Sequence, residues 1–414
     1  MHAADLHLGA PLRGLRAASP EFAERLAKAI PQAYARLIDE SISRNVDFVV
    51  MAGDIFDQAQ PSYANFLQFV RGLQRLEQAD IPVYLLTGNH DPYTSWQRSY
   101  SQLPRNVYMF PADKPGFTVF QRDGRPLALL GGRGYYNQVV SDQQNIAEGI
   151  TREAAERACG VSAPFAVGVL HTGLHLDKAK APADLSELTA SGFDYWALGH
   201  IHKRYVFSPE NPRAAFSGCI QGRDILESGS RGCFQVTLTE GQRNAIEFVP
   251  LASIVWQVAD VDVSACTTLA ECHDAVMREL FRLNGTAQCE EMAERVTLVG
   301  TTPLHSLLCQ PGVLEDLRKQ MNEGYPIFYC DALVDRTESP VDREALIDEG
   351  LFPAALLRQA SSLAADDGAA VAYLQDEFFS HGLVLPKKCS RKVSDLQKQA
   401  EGLLVDLLRG DSHE

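Results

Sequence analysis

Through the first 250 residues, short β-branched runs alternate with stretches in which apolar positions recur every three or four residues. That is the pattern of strands sandwiched between helices. The clearest strand signals are Asp47 to Ala52, Ile81 to Thr87, Leu127 to Leu130, Phe165 to Leu170 and Phe193 to Leu198. Between the first two, Tyr63, Phe66, Leu67, Val70, Leu73 and Leu76 fall at helical spacing and predict a β-α-β unit. Gly218 to Gly241 is glycine-punctuated and strand-like, the mark of antiparallel edges. Near Leu251 a second unit begins, with a strand over Ile254 to Val263 and a helix announced by the capping box Thr268-x-x-Glu271. Leu269, Cys272, Val276, Leu280 and Leu283 share one face of that helix, and RVTLVG, VLEDLRKQM and IFYCDALV continue as strand, helix and strand. From Pro340 the chain reads as helical and acidic, ending in a narrow stripe of Val393, Leu396, Ala400, Leu403 and Leu407. The expected division is 1–250, an α/β domain; 251–340, a small α+β domain; and 341–414, a helical C-terminal region.

Composition places the chain without identifying it. Its 414 residues are 45% hydrophobic and 22% charged, which excludes disordered and fibrous classes. No stretch approaches the roughly 18 uninterrupted apolar residues of a membrane helix, and the N-terminus lacks a secretory signal. Nine cysteines without a C-x-x-C pair suit a reducing compartment and exclude a zinc ribbon. A cytoplasmic protein with no membrane partner is expected. The formal charge of -15 argues against a nucleic-acid partner until it is divided. Residues 1–250 hold 24 Lys and Arg against 26 Asp and Glu, a net of -2, whereas 251–414 hold 14 against 27, a net of -13.

Chemistry-bearing residues collect where the predicted strands end. Asp5-Leu6-His7 closes the first short strand, Gly53-Asp54-Ile55-Phe56-Asp57 follows the second, and Gly88-Asn89-His90-Asp91 the third; His171 and Gly199-His200-Ile201-His202 follow two more. Ligands of sheets built from β-α-β units gather at the carboxyl ends of the strands. Carboxylates, imidazoles and an amide oxygen, without thiolate, suit manganese, iron or zinc. Eight such donors can hold two divalent ions about 4 Å apart when one carboxylate bridges, a spacing that serves phosphate-ester hydrolysis. A lone histidine is ordinarily a core or surface residue, but five motifs in order, each after a strand, need more than coincidence.

The ordered set DLHLG, GDIFD, GNHD, His171 and GHIH resembles the calcineurin-like metallophosphoesterase superfamily. More narrowly it is similar to DNA double-strand-break-repair nucleases of the SbcD/YhaO type. The opening HAADLHLGAPL, and Ser217 to Arg223 followed by Glu227 and Gly229, carry the YhaO likeness. The motifs cover about residues 2 to 232; the remainder is similar in architecture only. The resemblance implies a β-sandwich flanked by helices, a small α+β capping domain and a helical tail. It implies one metal on Asp5, His7, Asp54 and His202, and a second on Asp54, Asn89, His171 and His200, with Asp54 as the bridge. His90 would face the substrate phosphate, stabilising the transition state or protonating the leaving oxygen, and the Asp57 side chain would orient it. Also implied are manganese, 3'-to-5' exonuclease with endonuclease activity in DNA repair, and an SMC-like coiled-coil ATPase partner of the SbcC/YhaN type; the oligomeric state is left open by the sequence, a homodimer included. Two rivals stand beside this reading: a phosphatase or phosphodiesterase of small substrates on the same scaffold, and a non-catalytic scaffold that binds DNA or an ATPase. Relatives carry apolar residues before the HAADLH segment, whereas Met1 directly precedes His2 here, so the first strand should be very short.

Weaker signals remain. Arg13 and Arg16, after the first motif, and Arg223 are the basic residues most readily placed beside a phosphate backbone. Asp91 reads equally as a turn-stabilising and as a functional residue. Gly131 to Tyr136 reads as a glycine turn with packed tyrosines rather than a DNA contact, and His175 as a non-ligand despite lying four residues from His171. His2 reads as structural, and His273, His305 and His381 have no motif partners. The basic run Lys387 to Lys392 is a solvated helix start or part of a docking surface, and the stripe after it is core packing or a partner-binding helix face.

Overall fold

The computed structural model describes residues 1–10, 20–96, 103–140, 145–174, 176–177, 181–287, 289–323, 328–340, 348, 354–356, 358–359, 362 and 367–384. Arg13, Arg16, His175, the basic run after Lys387 and the C-terminal apolar stripe therefore lie outside the described residues. The chain divides into two compact units: Met1–Val258 with Phe281–Arg295 and Tyr325–Asp331, and Ala259–Leu280 with Val296–Gly324 and Ala332–Glu414.

The first unit is built on twelve strands: β1 (His2–Ala3), β2 (Val49–Ala52), β3 (Val83–Leu86), β4 (Val107–Met109), β5 (Gly116–Arg122), β6 (Arg125–Arg133), β7 (Phe165–His171), β8 (Tyr195–Gly199), β9 (Tyr205–Phe207), β10 (Ala214–Phe216), β11 (Gly232–Thr237) and β12 (Ala245–Pro250). They form two six-stranded sheets, ordered β12-β11-β1-β2-β3-β4 and β5-β6-β7-β8-β10-β9. Helices α1 (Pro20–Ser43), α2 (Tyr63–Gln78), α3 (Tyr93–Trp96), α4 (Arg152–Cys159) and α5 (Leu185–Ala190) complete it.

Strand alternation explains the layering, because successive side chains point to opposite faces. Val49 and Met51 of β2 and Val83 and Leu85 of β3 join a core that includes Leu37 of α1 and Phe69 and Leu73 of α2. Their neighbours Val50, Ala52, Tyr84 and Leu86 pack with Val167 and Val169 of β7 and Tyr195 and Ala197 of β8. Trp196 and Leu198 of β8 turn the other way, joining Ala155 of α4 and Leu188 of α5. The unit is thus two sheets face to face with helices outside, a mixed α/β sandwich as the resemblance implies. The β-α-β expectation holds: β2 and β3 are parallel, Val49 opposite Val83, with α2 between them. The antiparallel edge is β11 against β12, from Gly232 opposite Pro250 to Thr237 opposite Ala245.

A further three-stranded sheet has the order β13 (Ile254–Asp262), β14 (Glu291–Thr301), β15 (Phe328–Glu338). Helices α6 (Leu269–Thr286) and α8 (Val313–Asn322) follow the expected strand-helix rhythm, α7 (His305–Leu308) is an additional short turn, and α9 (Asp367–Ser380) lies in the C-terminal region. The capping box at the start of α6 forms with a small shift. Glu271 N donates to Thr268 Oγ1 at 3.2 Å, but the Glu271 carboxylate reaches back to Thr267 N at 2.7 Å. No helix among the described residues is long and apolar enough to cross a membrane, and the described cysteines carry free thiols.

Candidate metal centre

Five strand ends converge because the loops after β1 and β2 are laced together. Asp5 N donates to Gly53 O at 3.1 Å, His7 N to Asp54 O at 3.0 Å, and Leu8 N to Ile55 O at 2.9 Å. This tight lacing forces left-handed backbone at side-chain-bearing residues: φ is 51° at Asp5, 47° at His7, 50° at Asp54 and 99° at His200. Such conformations cost about 1–3 kcal/mol each and persist where the surrounding structure over-determines them. Gly53, at φ 89°, leaves room for an imidazole: a Cβ there would lie 2.5 Å from His171 Nδ1.

Two ligand clusters result, and His7 also belongs to a third group of close donor atoms with Asp57 and His90. Asp5, His7 and His202 offer donor atoms all within 4.8 Å of one another, and so do Asp54, His171 and His200. Asn89 belongs with the second, its Oδ1 3.1 Å from both His171 Nε2 and His200 Nδ1. Asp54 stands beside both, its Oδ2 3.3 Å from His171 Nε2 and 3.9 Å from His7 Nε2. Asp5, His7, Asp54 and His171 are almost wholly buried.

The hydrogen bonding around the clusters fits divalent cations. His171 Nδ1 donates to Ala52 O at 2.9 Å, which leaves its Nε2 lone pair facing Asn89 Oδ1 and Asp54 Oδ2. His202 Nδ1 is 2.6 Å from Glu227 Oε1, and His7 Nδ1 is 3.2 Å from Asp57 Oδ1. A neutral His202 that keeps its proton on the Glu227-facing nitrogen presents a bare Nε2 to His7 Nε2 at 3.1 Å, and the buried His7 Nδ1 makes no hydrogen bond. Acceptors that face acceptors in a buried space repel unless a cation lies among them, and this is the usual outer arrangement of metal-ligating histidines. Burial works against charge on Asp54, yet the imidazoles of His171 and His7 hold its carboxyl far below the usual carboxylate range. Burial likewise opposes a proton on His171, yet Asp54 lifts it to about 9. A potential that draws protons so strongly also draws metal ions.

Around the clusters lies a brace of charged residues. His90 N donates to Asp54 Oδ1 at 2.9 Å, and its ring, 40% exposed, stands at the rim. Its Nδ1 is held at 2.9 Å by the main-chain carbonyl of Asp57, while the Asp57 carboxylate is 4.0 Å away. This corrects the expectation that the Asp57 side chain orients His90. That carboxylate is drawn instead to His7 and to Arg223 Nη1, 3.1 Å off. Arg223 is also reassigned: besides Asp57 it donates through Nη2 to Glu227 Oε1 at 2.9 Å and through its main-chain N to Glu227 Oε2 at 2.8 Å. Its guanidinium joins two carboxylates that contact two of the histidines, rather than standing as a free phosphate-binding cation. Glu227 and Asp177, whose Oδ2 is 3.3 Å from His200 Nε2, were not among the expected site residues. The signal for Glu227 was its place four residues after Arg223 in the YhaO-like segment.

The open readings close as follows. Asp91 is fully buried and staples two loops, accepting from Gly88 N at 2.9 Å, Ile55 N at 3.0 Å and Phe56 N at 3.3 Å. His2 is structural, 2.9 Å from Tyr195 Oη, with burial pushing its pKa down to about 3. Gly131 to Arg133 close β6 rather than forming a turn; Gly134 packs on Thr87, Tyr135 is buried against His171, Tyr136 is exposed and stacked on Tyr93, and Arg133 donates to the carbonyls of Ala112 and Asp113.

A β-sandwich that gathers carboxylates, imidazoles and an amide at the ends of its strands defines a metal-dependent phosphoesterase, and the chain belongs to the calcineurin-like metallophosphoesterase family. The family's profile, calcineurin-like phosphoesterase, matches residues 1–204. Residues 256–338 match the middle domain of metallophosphoesterase YhaO. In Bacillus subtilis (strain 168) the protein described as the uncharacterized metallophosphoesterase YhaO is 31% identical over 328 residues, covering 78% of this chain and 77% of that one.

Proposed function

We propose that this metallophosphoesterase is a DNA nuclease of the SbcD/YhaO type, hydrolysing phosphodiester bonds as a 3'-to-5' exonuclease with endonuclease activity in DNA repair. The observation that carries the reading is the pairing of two ligand clusters about buried Asp54 with a rim histidine, His90, whose Nδ1 is fixed and whose Nε2 is left for substrate. Asp5, His7, Asp54 and His202 would hold one divalent ion, and Asp54, Asn89, His171 and His200 the other. Manganese is the ion proposed, with iron and zinc suited to the same donors. When bound, such a pair supplies charge stabilisation to a phosphate and activates water near neutral pH.

The chain's own residues do the rest. His90 holds one proton at Nδ1 on the Asp57 carbonyl and moves a second at Nε2. As the water oxygen bonds to phosphorus, losing a proton to solvent, the P–O3' bond breaks and the proton on His90 Nε2 goes to the departing O3'. Asp57, Glu227 and Arg223 keep His7 and His202 from rotating, and Asp91 holds the GDIFD and GNHD loops in register. The proposal extends to a cytoplasmic location, a homodimer and an SMC-like coiled-coil ATPase partner of the SbcC/YhaN type.

The test is a panel of single-stranded, blunt, recessed and hairpin DNA with manganese, magnesium or zinc, comparing wild type with Asp54→Ala. Metal-dependent cleavage lost in the variant supports the reading. Turnover of a small chromogenic diester with no cleavage of any DNA replaces it with a small-substrate phosphodiesterase. Neither activity, with no metal taken up, leaves the non-catalytic scaffold.

A further inference from the structure

The second compact unit carries a separate cluster of metal-ligating chemistry. His305 and Cys309 lie four residues apart on the turn of α7, where Cys309 N donates to His305 O at 3.0 Å and both side chains share a face. Asp335 of β15 meets them. Cys309 Sγ is 3.7 Å from His305 Nε2 and 3.6 Å from Asp335 Oδ2, and the three donor atoms fall within 4.8 Å of one another.

We propose that His305, Cys309 and Asp335 form a zinc site independent of the phosphoesterase centre. Tetrahedral zinc, with bonds of about 2.3 Å to sulfur, 2.0–2.1 Å to nitrogen and 2.0–2.2 Å to oxygen, requires S···N and S···O edges of about 3.5–3.6 Å. Both edges formed here by the thiol come within about 0.2 Å of that requirement. The hydrogen bonding sets the right imidazole tautomer. Thr337 Oγ1 gives its single proton to Asp335 Oδ1 at 2.7 Å, so its oxygen accepts from His305 Nδ1 at 2.8 Å. Nε2 is then the bare nitrogen, and it is the one that faces the thiol. Thr337 N also donates to Asp335 Oδ1, at 2.8 Å, leaving Oδ2 toward the cluster. A thiolate with one imidazole and one carboxylate selects zinc over manganese or magnesium. On binding, Cys309 releases its proton to solvent as the S–Zn bond forms.

The experiment uses the full chain, stripped with chelator and titrated with Co2+ as the spectroscopic probe for zinc. None of the proposed ligands of the phosphoesterase centre is a thiol, although the buried Cys219 lies 3.9 Å from Glu227 Oε2, so a sulfur-to-cobalt charge-transfer band is assigned to the new site by its loss in Cys309→Ser. As Co2+ is added beyond what the phosphoesterase centre takes up, this band should grow to the intensity of one thiolate-bound ion per chain, together with the visible spectrum of tetrahedral cobalt, and zinc should displace it. Cys309→Ser, a substitution at an exposed position, should abolish the band. Asp335→Asn, which keeps the acceptor for Thr337, should weaken binding tenfold or more, and Asp54→Ala should leave the band intact. No sulfur-to-cobalt band in the wild type, or a band at full affinity in Cys309→Ser or Asp335→Asn, overturns the proposal.

Discussion

Glu227 provides the sharpest test of how the centre is held, because it contacts a proposed ligand while touching no substrate. Its Oε1 takes His202 Nδ1 at 2.6 Å and Arg223 Nη2 at 2.9 Å, and its Oε2 takes Arg223 N at 2.8 Å and Nε at 3.3 Å. Burial works against its charge, yet the bonds from His202 and Arg223 hold its carboxyl far below the usual range. Glu227→Gln keeps the shape and one acceptor for His202 but removes the charge that makes the imidazole basic, and it turns an amide toward Arg223. Outer partners of metal-ligating histidines contribute about 10- to 100-fold in metal affinity, which is about 1.4–2.7 kcal/mol. Titration of the metal-free full chain with Mn2+, followed calorimetrically, should therefore show one of the two binding events weakened by that factor. The other, on Asn89, His171 and His200, should be little changed. Glu227→Gln binding both ions at wild-type affinity would refute the argument that the brace tunes His202. A comparable loss at both sites would show that the brace supports the whole rim.

Three further outcomes follow from the same geometry. Asp54→Ala should weaken binding of both ions and reduce metal-dependent phosphodiester cleavage to background, checked by metal analysis and gel assay. His90→Ala should retain two metal equivalents while kcat falls about 10²- to 10⁴-fold; near wild-type cleavage would remove the proton-transfer role from that histidine. Burial lifts the carboxyl of Glu294 from 4.5 to about 8, with a weaker opposing bond from Tyr329, so the folded chain keeps a proton that the unfolded chain releases. Stability is then lost progressively as pH rises from about 4.5 to 8, and Glu294→Gln should recover on the order of 3 kcal/mol at pH 7, read as a higher Tm whose advantage over wild type vanishes near pH 4.

The candidate ligands were legible because a metal centre at strand ends writes itself as short polar motifs, and four of the five motifs follow strands visible as short apolar runs, whereas the first follows the two-residue β1, too short for any pattern to register. What sequence could not show is which atom of a residue reaches its neighbour. Asp57 was expected to orient His90 through its carboxylate; the main-chain carbonyl does so, because Arg223, 166 positions away, draws the carboxylate elsewhere. The three-residue strands β4, β9 and β10 are too short for any periodicity to register, and β5 lacks a clean alternation. His305 had no motif partner because Asp335 lies on another element, and only the fold brings it to the Cys309 thiol.

Charge distribution links the centre to its proposed substrate. Residues 1–250 are nearly neutral at -2, yet the rim concentrates Asp5, Asp54, Asp57, Asp177 and Glu227 around the point where a phosphate would have to sit. In the protein alone that surface repels a polyanion, and Arg223, a cation beside the clusters, is already engaged by two carboxylates. Two divalent ions would add four positive charges there, bringing 1–250 to about +2 and placing the excess at the reacting bond. On the proposed reading the ions therefore govern substrate binding as well as chemistry. The -13 carried by residues 251–414 would keep DNA from those surfaces, so affinity would be modest and salt-sensitive unless a partner supplies basic surface. This is the physical reason why an acidic chain of this kind would work with a DNA-binding ATPase rather than alone.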